Sequence, residues 1–305
     1  MSLPLPPPPS YPALSYELFP PRSTQAEDSL WRTIRALEDT RPDFVSVTYG
    51  ASGSNRDTAV GLLKRLLNET SLKPLAHLTC VGNSRDYLME LVDELISSGV
   101  RGILALRGDQ PRDSTLPEGE LHHANELVEL IRRVERLRTA HLCAGKVAVG
   151  VAAYSTKHPE SPSLEHDIEV LLAKQAAGAD FAITQVYFAP EQYSRLLRTA
   201  RRAGVAIPII PGVIPFTSVR RLERLSELAG VEIDAPLMDR LKNADDDAGR
   251  RRIGVRATVD LAHAALDDGA PGIHIYTFNE HAAALDVLDR LELSRPPAVG
   301  LSQSA

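Results

Sequence analysis

The stretch Ser98-Gly99-Val100-Arg101-Gly102-Ile103-Leu104-Ala105-Leu106 carries the reading of the fold. Its first glycine is placed to end a helix in a left-handed cap, and the chain then turns into a short, continuously apolar strand. The device recurs. Ala177-Gly178-Ala179 leads into Phe181-Ala182-Ile183-Thr184-Gln185, Ala203-Gly204-Val205 into Ile207-Pro208-Ile209-Ile210, and Asp268-Gly269-Ala270 into Gly272-Ile273-His274-Ile275-Tyr276. Strands without polar alternation are buried on both faces, as parallel strands covered by helices are.

Further strands are expected at Tyr16–Phe19, Phe44–Tyr49, Leu75–Cys80 and Lys146–Ala152. Helical patterns fill the gaps, at Ser23–Asp39, Arg56–Asn68, Arg85–Ser97 and Asn125–Arg138. About eight strands alternating with helices predict a single-domain (β/α)8 TIM barrel rather than a doubly wound sheet. No Gly-x-Gly-x-x-Gly follows the first strand, and Gly50 to Gly53 is only Gly-x-x-Gly, which weakens a dinucleotide-fold reading. The barrel is expected over residues 14–293. Residues 1–13 read as a disordered proline-rich leader and 294–305 as a flexible tail.

The 305 residues are 43% hydrophobic and 24% charged, enough for a large core. Net charge is −6 and no Lys/Arg cluster is long enough to suggest nucleic acid. The two cysteines, Cys80 and Cys143, have no zinc-site or redox spacing, which fits a reducing, cytoplasmic setting. No apolar run reaches the roughly 18 residues of a membrane helix. The run Asp245-Asp246-Asp247 before Arg250-Arg251-Arg252 reads as a solvated helix start whose charges complement the helix dipole.

Barrels of this kind build their sites at the C-terminal ends of the strands. The polar residues there are Glu17, Thr48, His77, Thr79, Arg107-Gly108-Asp109, Tyr154, Gln185 and Tyr276. Glu17 is the notable one, a carboxylate in an apolar strand closed at once by Pro20 and Pro21. Burying it demands a partner or a task. The residues alone leave open a Glu on the wet side of an edge strand. Paired-acid glycoside hydrolysis by Glu17 and Asp109 is conceivable, yet the single tryptophan, Trp31, sits on an outer helix and little aromatic surface remains for sugars.

Several segments together resemble the methylenetetrahydrofolate reductase family, in its bacterial form made of the catalytic barrel alone. They are Tyr16-Glu17-Leu18-Phe19-Pro20-Pro21, Phe44 to Ala51, His77-Leu78-Thr79-Cys80, Ile103 to Asp109, Ala152-Ala153-Tyr154 with His158-Pro159-Glu160, Ala177 to Gln185, Ile209-Ile210-Pro211-Gly212 and His274-Ile275-Tyr276-Thr277. They stand in the family's order from Ser15 to about Leu291. The resemblance implies reduction of 5,10-methylenetetrahydrofolate to 5-methyltetrahydrofolate by NAD(P)H through FAD, in one-carbon metabolism and methionine synthesis. It makes Glu17 the acid that protonates folate N10, and Asp109 a catalytic residue beside flavin and pterin. Gln185 and Tyr276 join those two on the substrate. Thr48, Tyr49, Ala51, His77, Arg107, Gly108, Asp109, Ala124, Tyr154, His158, Asp167 and Lys174 fall on flavin-contact positions, with Arg107 and Lys174 as phosphate partners. No metal is implied, no membrane and no nucleic acid; a homo-oligomer is compatible with the family.

The chain departs from the family pattern at four places. His123 stands for a tyrosine, Val170 for a polar flavin contact, and Ala173 for one member of a basic pair. Each such loss costs about 1–3 kcal/mol where it leaves a group unpaired. Glu280 stands for an arginine and would repel an anionic folate tail. Two rivals therefore accompany the flavoenzyme: direct hydride transfer from NADH without flavin, and a non-catalytic paralogue that binds folate or nucleotide.

Overall fold

The computed structural model describes residues 11–48, 56–108, 119–138, 145–229 and 232–293. Nine parallel strands and ten helices are assigned within them. The strands are β1 (Ala13–Leu18), β2 (Phe44–Val47), β3 (Pro74–Thr79), β4 (Gly102–Leu106), β5 (Ala148–Ala153), β6 (Phe181–Thr184), β7 (Ile209–Ile210), β8 (Gly212–Val213) and β9 (Gly272–Tyr276). The helices that matter below are α1 (Thr24–Glu38), α4 (Ala124–Leu137), α5 (Leu164–Ala176), α7 (Val219–Ala229), α9 (Asp247–Asp267) and α10 (His281–Leu291).

The sheet order is β7-β6-β5-β4-β3-β2-β1-β9-β8. Its two ends, β7 and β8, are one piece of chain interrupted by Pro211. The first half pairs with β6 and the second with β9, so the sheet closes on itself. Counting β7 and β8 as one stave leaves the eight of a (β/α)8 barrel, as expected. The sequence reading ended this stave at Ile210. Pro211 explains the break, because it has no N–H to donate to the ladder. Its carbonyl still accepts from His274 N at 3.0 Å.

The four predicted glycine caps are present. Gly99, Gly178, Gly204 and Gly269 have φ of 98°, 108°, 99° and 89°. In each, the next residue's N–H returns to a carbonyl five positions back, as in Val100 N to Leu95 O at 3.0 Å and Ala270 N to Ala265 O at 3.0 Å. The acidic-then-basic run also behaves as read. Asp246 caps α9 through Gly249 N, and the arginines lie one turn on.

Strand residues alternate between two cores. Leu14, Tyr16, Leu18, Val45 and Val47 face outward into the large layer between sheet and helices. The inward set fills the barrel. Its lower part is apolar, with Leu75, Leu104 and Ile183 packed against Phe44 and Phe181. Glycines make room for these side chains: a Cβ on Gly150 would lie 2.7 Å from the Phe181 ring. The upper inward positions are polar. Register sets Glu17 beside Ser46 on β2 and Tyr276 on β9.

Candidate active site at the barrel mouth

Glu17 is inward, one residue before β1 ends, and only 8% exposed. The alternative of a wet edge strand is excluded, because β1 pairs on both sides. Burial pushes its carboxyl up to about 8. Its Oε2 lies 3.8 Å from His77 Nε2, beyond hydrogen-bond reach. His77 is equally buried, its pKa is pushed down to about 4 by the same cause, and its Nε2 has no partner among the described residues. At neutral pH this is a protonated acid beside a neutral imidazole, not an ion pair.

Below them His274 bonds through Nδ1 to Ser15 Oγ at 2.8 Å and stacks parallel to Phe44 at 6.0 Å. Burial, with the nearby His77 as the lesser cause, pushes its pKa down to about 3. Tyr276 completes this group. Its ring meets His274 edge-on at 4.9 Å, and its hydroxyl donates to Thr184 O at 2.9 Å. Burial raises its pKa, with the Glu17 and Tyr154 charges adding to the shift. Gly212 is small for this reason, since a Cβ there would lie 2.5 Å from the Tyr276 ring.

A second cluster sits at the ends of β4 and β5 and on α5. Tyr154 meets His158 edge-on at 4.5 Å. His158 N donates to Asp167 Oδ2 at 2.9 Å, which ties the loop after β5 to the first turn of α5. Lys174 is 9% exposed, donates to Ala152 O at 2.8 Å, and has its pKa pushed down to about 8 by burial. Arg107 reaches the same region, where Glu160 pairs with it. Gly108 follows with φ 89°, and a Cβ there would lie 2.7 Å from Val81.

The remaining expected residues are more dispersed. Thr48 follows β2 and donates its N–H to Leu18 O at 3.0 Å. Gln185 is exposed just past β6, its Oε1 accepting from Val186 N at 3.1 Å. Ala124 opens α4 and is buried, while the backbone N–H of His123 caps onto Glu126 at 2.8 Å. Val170 and Ala173 are exposed on α5, and Glu280 pairs with Arg221 at 3.1 Å. Tyr49, Ala51 and Asp109 lie outside the described residues. Sequence reading gave no role to Glu160, Asn279 or Arg221. Asn279 carried a usable signal, because asparagine is among the residues that tolerate the left-handed region.

Among the described residues no group of three or more His, Cys, Asp and Glu side chains is placed to hold a metal, and no helix is long and apolar enough to cross a membrane. A groove of about 840 Å³ lies elsewhere, between α1, α7, α9 and α10; it is lined by Thr33, Arg251 and Asn279 and does not include Glu17.

Comparison with known proteins bears on the family and the fold. The family model described as methylenetetrahydrofolate reductase matches residues 10–292. The 5,10-methylenetetrahydrofolate reductase of Escherichia coli (strain K12) is 34% identical over 267 residues, covering 87% of this chain and 86% of that protein. Methylenetetrahydrofolate reductase 1 of Schizosaccharomyces pombe is 31% identical over 283 residues, 92% of this chain but 46% of that longer protein. A solved structure from Clostridium thermocellum, described as an uncharacterised protein that binds two copies of 5-methyl-5,6,7,8-tetrahydrofolic acid, aligns with a TM-score of 0.68. It covers 93% of this chain and 96% of that one at 15% identity, a likeness of fold. A match that runs from before β1 to the last turn of α10 leaves one conclusion: this chain belongs to the methylenetetrahydrofolate reductase family.

Proposed function

We propose that this protein reduces 5,10-methylenetetrahydrofolate to 5-methyltetrahydrofolate with NAD(P)H, and that Glu17 is its general acid. The observation that carries the reading is a carboxyl buried near the C-terminal end of β1, in the mouth of a barrel whose family performs this reduction, where burial raises its pKa. The net reaction consumes one hydride and one proton. Opening the five-membered ring breaks the bond between N10 and the methylene carbon, and N10 must take a proton as it leaves. Glu17 supplies that proton, which makes the methylene an iminium on N5 that accepts hydride. An acid with a pKa near the working pH is both protonated and willing to give its proton up. His77, neutral and 3.8 Å away, places no charge beside the carboxyl and leaves it free to turn to substrate.

The second cluster fits a flavin dinucleotide in its chemistry. Lys174 is a buried ammonium hydrogen-bonded to a neutral carbonyl, with the Asp167 carboxylate and the Arg107 guanidinium both within its field, so an anionic phosphate there would offset the repulsion between the two cations. Arg107 and Lys174 would hold the phosphates, with Tyr154, His158 and Asp167 alongside; exposed Val170 would be covered. Bound FAD would supply a two-electron carrier between nicotinamide and folate. Asp109, Gln185 and Tyr276 are assigned to the substrate. A second reading, direct hydride transfer without flavin, is favoured by the ion pair that already occupies Arg107 and by the apolar pair Val170 and Ala173 on α5. Purified protein decides between them. Absorbance at about 450 nm that bleaches on addition of NADH supports the flavin; a colourless protein that turns over NADH and methylenetetrahydrofolate supports direct transfer. No turnover of either kind refutes the function.

A further inference from the structure

We propose that the turn Thr277-Phe278-Asn279 is a positioning device that holds the Glu17 carboxyl in its working orientation. The turn follows β9 and lies against the end of β1. Thr277 Oγ1 donates to Glu17 O at 2.7 Å. Asn279 clasps the residue two further on: its Oδ1 accepts from Phe19 N at 2.9 Å and its Nδ2 donates to Phe19 O at 2.9 Å. A side chain thus takes both backbone groups that a neighbouring strand would otherwise take, and β1 ends at Leu18 for that reason. The backbone is therefore fixed at the acid itself and again two residues beyond it.

The turn is strained to do this. Phe278 and Asn279 have φ of 52° and 61°, two successive non-glycine residues in the left-handed region. Such strain persists only where surroundings over-determine it, and it gathers at functional sites. The surroundings are present. Phe278 stacks on Phe19 at 5.9 Å, and the Arg221 guanidinium lies over the Phe278 ring at 4.3 Å. Arg221 is held in turn by Glu280. Asn279 O accepts from Thr33 Oγ1 at 2.9 Å, and Asn279 N donates to Thr277 Oγ1 at 3.1 Å. Elements from three helices and two strands meet at one turn, whose contacts to the end of β1 among the described residues go to residues 17 and 19.

The groups facing Glu17 are His77 from β3 and Tyr276 from β9, with His274 beneath and Ser46 from β2 as the uncharged neighbour. None of them hydrogen-bonds the carboxyl among the described residues, so its orientation depends on its backbone. Without the clasp the strand end loosens and the carboxyl reaches water.

The proposal rests on Glu17 being the acid, and the experiment separates the two. The pH dependence of kcat/KM for methylenetetrahydrofolate reduction is measured for the wild type, Thr277→Val, Thr277→Ser, Asn279→Gly and Glu17→Gln. Asn279→Gly removes the clasp without adding backbone strain, which favours folding. The expected result is that the alkaline limb moves down by about one unit in Thr277→Val and Asn279→Gly as the acid hydrates. kcat falls while KM holds, and Thr277→Ser keeps the wild-type profile. If the folded variants lose thermal stability but keep the wild-type limb, with Glu17→Gln inactive, the clasp is merely structural and the proposal is wrong. If Glu17→Gln keeps the full rate, Glu17 is not the acid and both readings fall.

Discussion

Replacing Glu17 with glutamine should make the protein more stable and less active at once. In the folded chain the carboxyl holds its proton up to about pH 8; in the unfolded chain it releases it near 4.5. The folded state therefore binds more protons across that window, and stability falls as pH rises through it. The difference in pKa corresponds to about 3 kcal/mol at pH 7 and to about 5 kcal/mol above pH 8, as orders of magnitude. Glutamine has nearly the same shape and cannot ionise, so it escapes this loss. At pH 4 the two proteins should melt together, since both carry a neutral side chain there. At pH 7 the variant should melt roughly 5–10 °C higher for a chain of this size. Its rate of folate reduction should fall by about 10²–10⁴, the usual contribution of a positioned general acid. The assay pairs thermal melts at pH 4, 7 and 8.5 with NADH oxidation. Melting curves for the two proteins that stay parallel at every pH would show that Glu17 is not held protonated, and the reasoning would fail.

Other expectations follow from the same contacts. His77 and His274 are buried neutral with depressed pKa values, so the stability they contribute is present above about pH 6.5 and lost as pH falls toward 4 and then 3. Urea melts should show that loss, and replacing His274 with Gln should flatten it; an unchanged acid profile would contradict the assignment. Gly212→Ala would set a Cβ 2.3 Å from Thr184 O and 2.5 Å from the Tyr276 ring, and the first of these is backbone that cannot turn away. It should cost about 1–3 kcal/mol in denaturant melts. A neutral effect would mean that the Tyr276 ring is not packed on this strand. Glu160→Gln frees Arg107 from an exposed ion pair worth at most about 1 kcal/mol, so flavin should bind up to about fivefold more tightly in a fluorescence titration. Weaker binding would show that Glu160 assists the cofactor instead of competing with it.

Most of the fold was legible because it is written locally. The glycine caps announce helix ends, and the apolar runs after them announce buried parallel strands. What was missed depends on partners far away in sequence. β1 was expected to run to Phe19, but Asn279, 260 residues on, takes the backbone of that residue. The stave at Ile209 to Val213 was cut short because two prolines hide a strand that pairs on one side before Pro211 and on the other side after it. Of the site, Glu17 stood out as a charge among apolar neighbours, and His77 as a polar residue at a strand end. Their mutual distance and their opposite pKa shifts come from barrel closure, which no local pattern encodes. Thr277 and Asn279 read as an ordinary strand-to-helix turn until the backbone angles are known.

The most direct test of the account is product formation under anaerobic conditions. Purified protein is given NADH and methylenetetrahydrofolate, with and without added FAD, and 5-methyltetrahydrofolate is measured for the wild type and for Glu17→Gln. The account predicts product from the wild type and a loss of at least about 10²-fold in the variant. Equal product from both proteins, or none from the wild type under either condition, would contradict it.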